Sequence, residues 1–286
     1  MTSTVRRVLM TVVLSLTVPG GAAAHGDRPQ AEGGQGASHH GGPHAPAEQA
    51  ATPVRLRECF LTAAFVPRPA SALRSVFRDP LDLSVTFYGP DPLLGVWGLA
   101  CQRARVAGKP AGSVVVSLVG VPVGLTSADA LPLANNFAHR LLRIDTSSRQ
   151  LAAAARRAGL PARLSPAARY RHSAGRLVPS SGRLVVPGRY AIRVSASAAD
   201  PTNPHDHTNL FEHRAANGRT AAVTLSIANA FDRFCLLPSD RCTASVRARR
   251  GSALAPLLGG RSARAHAGFD HDKLAHVDLV MRRGGG

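Results

Sequence analysis

The stretch richest in chemistry is Asp200-Pro201-Thr202-Asn203-Pro204-His205-Asp206-His207-Thr208-Asn209. Two prolines restrict its backbone, and in an extended segment His205 and His207 share one face, so two imidazoles can converge on a divalent ion. Glu212 and His213 follow closely. A metal-dependent hydrolase or lyase built here would use His205 and His207 as ligands, Glu212 as general base and a metal-bound water as nucleophile. The same letters also suit a turn whose Asp and Asn side chains bond to the backbone, and both readings stand on the sequence.

Other histidines offer less. His39, His40 and His44, with His25 upstream, lie among Gly, Pro, Ala and Gln. They could hold Cu²⁺ or Zn²⁺ loosely or form a solvated linker, since a mobile ligand set must be ordered before it binds. His271 and His276 are five apart, which in a strand sends them to opposite faces. His139 and His172 stand singly and are expected to be structural.

A different chemistry is available on strand-like segments. Tyr190 and Arg193, with Glu212 and Trp97, could line a pocket for a small hydrophobic or carboxylate-bearing ligand. Arg193 would pair with the carboxylate through its planar fork of donors, and Trp97 would stand in the wall. Arg193 reads equally as a surface residue opposite an apolar strand face. There is no G-x-S-x-G, P-loop or dinucleotide fingerprint, and only 17 acidic residues from which to draw the facing carboxylates of a glycosidase. No cofactor is expected on the binding reading; a divalent metal belongs to the hydrolase alternative.

The four cysteines, Cys59, Cys101, Cys235 and Cys242, allow three pairings. Cys235 and Cys242 flank Leu237-Pro238-Ser239-Asp240, a turn-like stretch, so the simplest assignment joins them and leaves Cys59 to pair with Cys101. No C-x-x-C is present, and oxidation is the commoner fate outside the cell.

What must position these residues is mainly strand. Cys59 to Val66 is an apolar run, followed by a short helix from Pro67 to Arg78 with Leu73, Val76 and Phe77 on one face. Leu83, Val85 and Phe87 alternate, and Leu93 to Val106 turns polar at Arg103 and Arg105. Ser113 to Val123 is almost continuously apolar, as suits a strand covered on both faces. The clearest helix spans Ser148 to Ala158: Ser147 with Gln150 suggests a capping box, Leu151, Ala154, Ala155 and Ala158 form its stripe, and Gly159 and Pro161 end it.

Further strands are expected at Leu164 to His172, Leu184 to Ser197, Thr243 to Arg249 and Leu274 to Met281, with a short helix at Ser252 to Leu258. Asn217-Gly218 reads as a two-residue hairpin turn. That turn would set Leu210 opposite Leu225 and Glu212 opposite Val223, placing the carboxylate among apolar neighbours. The fold class expected is α+β: a large antiparallel sheet, possibly closed into a barrel, with two or three short flanking helices.

The amino-terminal residues speak to compartment. Arg6 and Arg7 precede an apolar run from Val8 to Val18, a Pro19-Gly20-Gly21 breaker and Ala22-Ala23-Ala24. This is the pattern of a secretory signal over residues 1–24, too short to span a bilayer. A His/Gly/Pro-rich disordered linker over 25–51, one globular domain over 52–283 and a flexible tail over 284–286 are expected. No later apolar stretch is long enough to make a transmembrane segment in the mature chain. The product would be secreted, extracellular or held at the cell envelope.

The net charge of +18 rests on Arg, with Lys109 and Lys273 the only lysines. It draws the chain toward anionic surfaces by a salt-sensitive attraction, which leaves open a structural protein held to the envelope by charge. The arginines are scattered and no nucleic-acid signature is present, so specific nucleic-acid recognition is not expected.

The order of parts carries a resemblance. Val66-Pro67-Arg68-Pro69-Ala70-Ser71-Ala72-Leu73 comes early, then the strand pair around Trp97 and Val115. Arg143-Ile144-Asp145-Thr146 leads into the helix that ends Ala158-Gly159-Leu160-Pro161. Over most of Val54 to Met281 this resembles the acetoacetate-decarboxylase-like superfamily. The resemblance implies a cone-shaped β-barrel around a small-molecule pocket and, for the decarboxylases, Schiff-base chemistry on a lysine beside a second lysine. Lys109, in a Gly-Lys-Pro turn, and Lys273, before the last strand, do not make such a pair, so no catalytic residue is carried across.

Overall fold

Alternation gives way to continuous burial along the same strands, and that change sets the architecture. The computed structural model describes residues 51–77, 83, 91–123, 136–173, 180–196, 205–230, 233–236, 242–265 and 267–284. The expected signal and nearly all of the expected linker lie outside these residues, as does most of the alternating segment around Val85. In order, the elements are β1 (Thr52–Pro67), α1 (Ala70–Arg74), β2 (Leu93–Val106), β3 (Lys109–Val123), β4 (Asn136–Thr146), α2 (Arg149–Arg157), β5 (Ala162–Leu164), β6 (Arg169–Ser173) and β7 (Ser180–Val186). They continue with β8 (Tyr190–Ala196), β9 (His205–Arg214), β10 (Thr220–Ala230), β11 (Arg233–Leu236), β12 (Cys242–Ala248), α3 (Leu254–Leu257), β13 (Ser262–Arg264) and β14 (Ala267–Arg283).

Seven strands close into a barrel in the order β1-β2-β3-β4-β9-β10-β14, with β14 pairing back onto β1. The expected antiparallel sheet is thus closed, but one join departs from expectation: β4 and β9 run parallel. A second, antiparallel sheet of order β13-β12-β8-β7-β6 packs against one side. Closure removes the free edges that an open sheet would present.

The burial pattern follows from that stacking. On β1, Val54 and Leu56 point inward while Arg55 is exposed, because this end of the barrel faces water. From Leu61 to Val66 every residue is buried. Leu61, Ala63 and Phe65 join the barrel interior, whereas Ala64 and Val66 join Leu184, Ile192, Val194 and Val246 between barrel and second sheet. β2 and β3 repeat the change, so the unbroken apolar run ending at Val123 marks where the second sheet lies.

α2 starts one residue later than the capping-box pattern suggested. Ser148 is the N-cap and accepts a hydrogen bond from the Leu151 amide at 3.3 Å. Ser147 instead accepts from the Val115 amide at 2.9 Å and ties the helix to β3. At the other end Gly159 takes φ 85°, and the Leu160 and Gly159 amides donate to the Ala155 and Arg156 carbonyls, a Schellman closure. Its stripe of Leu151, Ala154, Ala155 and Ala158 enters the barrel core as expected.

Three other expectations are corrected. The first helix covers only Ala70–Arg74; Leu73 is buried, but Val76 is 38% exposed beyond its end. The single strand expected over Leu184 to Ser197 is a hairpin of β7 and β8, turned by Pro187-Gly188 with Gly188 at φ 75°.

The third concerns the Asn217-Gly218 turn, which is a three-residue loop. Gly218 at φ 80° donates to the Ala215 carbonyl and the Ala215 amide donates to the Arg219 carbonyl, as a type I turn with a glycine bulge requires. The register is therefore Leu210 opposite Thr224 and Glu212 opposite Ala222. A one-residue slip exchanges the two faces of a strand. Phe211, not Glu212, enters the core.

Candidate functional site

Two polar arrangements stand out within this apolar frame. The first is a buried carboxylate. Ile144 on β4 points into the barrel, which turns Asp145 toward the second sheet, where its side chain is fully buried. A buried charge must be paired and hydrogen-bonded to be tolerated. Asp145 Oδ1 pairs with the Arg189 guanidinium and accepts from Ser165 Oγ at 3.3 Å, and Oδ2 accepts from Tyr190 Oη at 2.8 Å. Arg189 also donates to Ser165 Oγ at 3.1 Å. Burial, then the neighbouring Asp145 charge, pushes the Tyr190 phenol well above its ordinary range, so it stays protonated as a donor.

Arg189 links this network to an arginine-lined groove of about 530 Å³, a size that suits a small ligand. Arg143 comes from β4, Arg163 from β5, Arg189 from the β7–β8 turn, and Arg249 and Arg250 from the segment after β12. The Arg249 amide donates to the Arg189 carbonyl at 2.7 Å, which joins the two arms. Gly188, at φ 75°, makes the turn, and Arg249 Nη1 lies in ordinary contact range of it, 3.6 Å from where a Cβ would stand. No carboxylate is among the groove's lining residues, and Ser252 Oγ is buried there without a hydrogen-bond partner among the described residues. Five arginines line one concavity, one of them fixed from behind, and a guanidinium is a planar fork of donors whose geometry matches carboxylate or phosphate.

The second arrangement is aromatic and inside the barrel. Trp97 meets Phe65, Phe211 and His139 edge-on at 5.2, 4.9 and 4.7 Å, and His139 stacks on Phe211 at 4.6 Å. The indole lies over Gly95, where no Cβ fits. His139 Nε2 donates to Asn209 Oδ1 at 3.0 Å, which leaves Nδ1 a buried acceptor without a partner among the described residues. Burial outweighs the Asn209 hydrogen bond and lowers this imidazole to about 4.

A stability consequence follows. The folded-state pKa lies below the unfolded value of 6.5, so His139 contributes fully above pH 6.5, and that contribution is lost as pH falls toward 4. Urea denaturation at pH 7 and pH 4 is expected to show a loss of about 3 kcal/mol from this group. His139→Gln, which keeps a donor for Asn209, is expected to remove that pH dependence; an unchanged slope would refute the assignment.

The residues singled out from the sequence divide. Trp97 is buried in the barrel, and Tyr190 is buried as the partner of Asp145. Arg193 lies exposed on the outer face of β8, opposite Arg183 and Ser245 of the flanking strands, away from the arginine groove. Glu212 is half exposed on the outside of β9, 4.0 Å from Arg140, rather than among apolar neighbours. It therefore does not project into the barrel as a base.

His205 and His207 lie on β9, but their side chains fall outside the described residues, as do those of Cys235 and Cys242 on β11 and β12. Among the described residues no three His, Cys, Asp or Glu side chains group as a metal site. Cys59 and Cys101 form a disulfide between directly paired residues of β1 and β2. His172 stacks on Phe60 at 4.6 Å.

Asp145, Arg189 and the other groove arginines were not foreseen as a site. The Pro187-Gly188-Arg189 turn lies inside a stretch that reads as one strand, and nothing in the sequence places it beside Arg249 and Arg250.

No family model and no curated protein matches the chain. Among solved structures the fold is similar to acetoacetate decarboxylase from Legionella pneumophila, at 12% identity and TM-score 0.48 over 86% of this chain and 91% of that one. An acetoacetate decarboxylase-like enzyme from Sphingomonas wittichii is similar at 10% identity and TM-score 0.46, over 88% and 98%. An enduracididine biosynthesis enzyme is similar at 11% identity and TM-score 0.44, over 83% and 88%. The likeness to these structures is one of fold.

Proposed function

We propose that this chain is an exported, disulfide-stabilised β-barrel protein that binds a small carboxylate-bearing ligand in the arginine-lined groove. The observation that carries the reading is the convergence of Arg143, Arg163, Arg189, Arg249 and Arg250 on one concavity whose lining includes no carboxylate. Such a site is unfavourable empty, because like charges repel, and becomes favourable when an anion neutralises them. Several guanidiniums favour a ligand with two or more carboxylates over one with a single charge. Export is supported by the basic, apolar and small-residue pattern of the first 24 residues and by a disulfide of the kind that persists in oxidising compartments.

Calorimetric titration of the mature chain with citrate, acetate and inorganic phosphate tests this. Citrate is expected to bind, acetate at least ten-fold more weakly, and Arg249→Gln with Arg250→Gln to weaken citrate at least ten-fold. The pair Arg183→Gln with Arg193→Gln, on the outer face of the second sheet, should leave binding unchanged. Absence of citrate binding at low salt, or an equal loss in both pairs, would overturn the proposal. Phosphate binding tighter than citrate would replace the carboxylate reading with a phosphate one.

A further inference from the structure

We infer that a second, separate basic groove, on the water-facing end of the barrel, docks a linear polymer carrying phosphate groups. The groove measures about 690 Å³ and is lined by Arg55, Arg57, Glu58, Arg103, Arg105 and His276, along with smaller residues. It spans four adjacent strands, β14, β1, β2 and β3, on the face opposite the barrel core. Inward neighbours Val54, Leu56, Val106 and Val277 are all buried.

The register makes this arrangement unusual. Arg57 lies directly between Arg103 on one side and His276 on the other, and Arg55 directly between Arg105 and Asp278. Like charges directly opposite in a sheet are destabilising, yet here two Arg–Arg pairs follow one another along the same two strands. Among the described residues the only ion pair in the groove is Arg103 with Glu58, both largely exposed. Glu58 is also the only non-glycine residue within a described strand to take positive φ, at 53°. A strained residue that supplies the groove's one carboxylate is the pattern of a site whose ligand has been partly imitated by the protein.

The chemistry of the groove selects the occupant. Rows of guanidiniums spaced by the strand repeat suit an anion with charge at successive positions along a chain rather than one compact ion. No Phe, Tyr or Trp lines it and His276 is its single aromatic ring, so a strand of unstacked bases finds one ring where its phosphates find four guanidiniums. No large apolar side chain is exposed there to enter a bilayer; among the described residues the one exposed large hydrophobic, Val76, lies elsewhere. A phosphate-bearing polymer without bases needs neither. This would hold the protein at an anionic envelope polymer while leaving the other arginine groove free.

The test is fluorescence anisotropy of labelled inorganic polyphosphate of defined length with the mature chain over a salt series. Binding is expected to weaken linearly in log–log form with salt. Arg57→Gln with Arg103→Gln should weaken it at least ten-fold and reduce the salt slope by about 1.4, the loss of two phosphate contacts. Arg57→Lys with Arg103→Lys should retain binding within a few-fold, and Glu58→Gln, which frees Arg103, should tighten it. Arg183→Gln with Arg193→Gln, on the outer face of the second sheet and in neither groove, should leave it unchanged. Equal losses in both Gln pairs would show diffuse net charge and overturn the inference. So would tighter binding to phosphatidylglycerol vesicles or to oligo(dT) of equal phosphate number, or a Glu58→Gln variant that binds polyphosphate no better.

Discussion

Replacing Asp145 with alanine is expected to destabilise the protein by about 3 to 5 kcal/mol, because it strips the carboxylate from a buried pair and leaves the Arg189 charge and the Tyr190 hydroxyl without their acceptor. Arg189 is about three-quarters covered, so little water is available to replace the lost partner. The effect should not stop at stability. Arg189 also lines the arginine groove, and without Asp145 its guanidinium keeps the Ser165 hydroxyl but loses the carboxylate that holds it in place. Citrate binding is therefore expected to fall together with the denaturation midpoint. Tyr190→Phe separates the two: it removes one hydrogen bond, at about 1 kcal/mol, and keeps the ion pair, so binding should survive. Urea unfolding of both variants with calorimetry on the folded fraction decides it. An Asp145→Ala protein as stable as the parent would refute the buried-pair account.

The second large effect lies in the Cys59–Cys101 bond. It closes a loop whose ends are 42 residues apart, and the chain-entropy argument gives about 4 kcal/mol from constraint of the unfolded state. Replacing both cysteines with alanine is expected to lower the thermal midpoint by roughly 8 to 16 °C for a domain of this size. Both cysteines are buried, so reductant added to the folded protein should act slowly, and mainly through unfolding. A double variant that melts with the parent would show that strand pairing alone holds β1 to β2.

Much of the frame was legible. The change from alternating to continuous burial in β1, β2 and β3 is written in their apolar spacing, because period two and burial on both faces leave different signatures. α2 announced itself through its stripe and Gly159, and the missed residue at its start reflects two adjacent serines, either of which could cap. The β9–β10 hairpin shows the limit. Asn217-Gly218 favours positive φ and marks a turn correctly, yet it serves a two-residue turn and a three-residue bulged turn alike. That ambiguity of one residue decides whether Glu212 or Phe211 faces the core.

The arginine groove lay beyond sequence reasoning for another reason. Its five guanidiniums come from four chain segments between Arg143 and Arg250, brought together by the packing of a second sheet on the barrel, and in an Arg-rich chain none of them stands out. The parallel join of β4 to β9 was equally hidden, since pairing direction leaves no mark on either strand alone.

The barrel's ring is sealed by its last strand, β14, lying against its first. During synthesis the amino-terminal strand must therefore wait for some two hundred residues before its neighbour on that side exists. A nascent chain built this way cannot lock into its final form early. On that side β1 stays without its neighbour until β14 has been made.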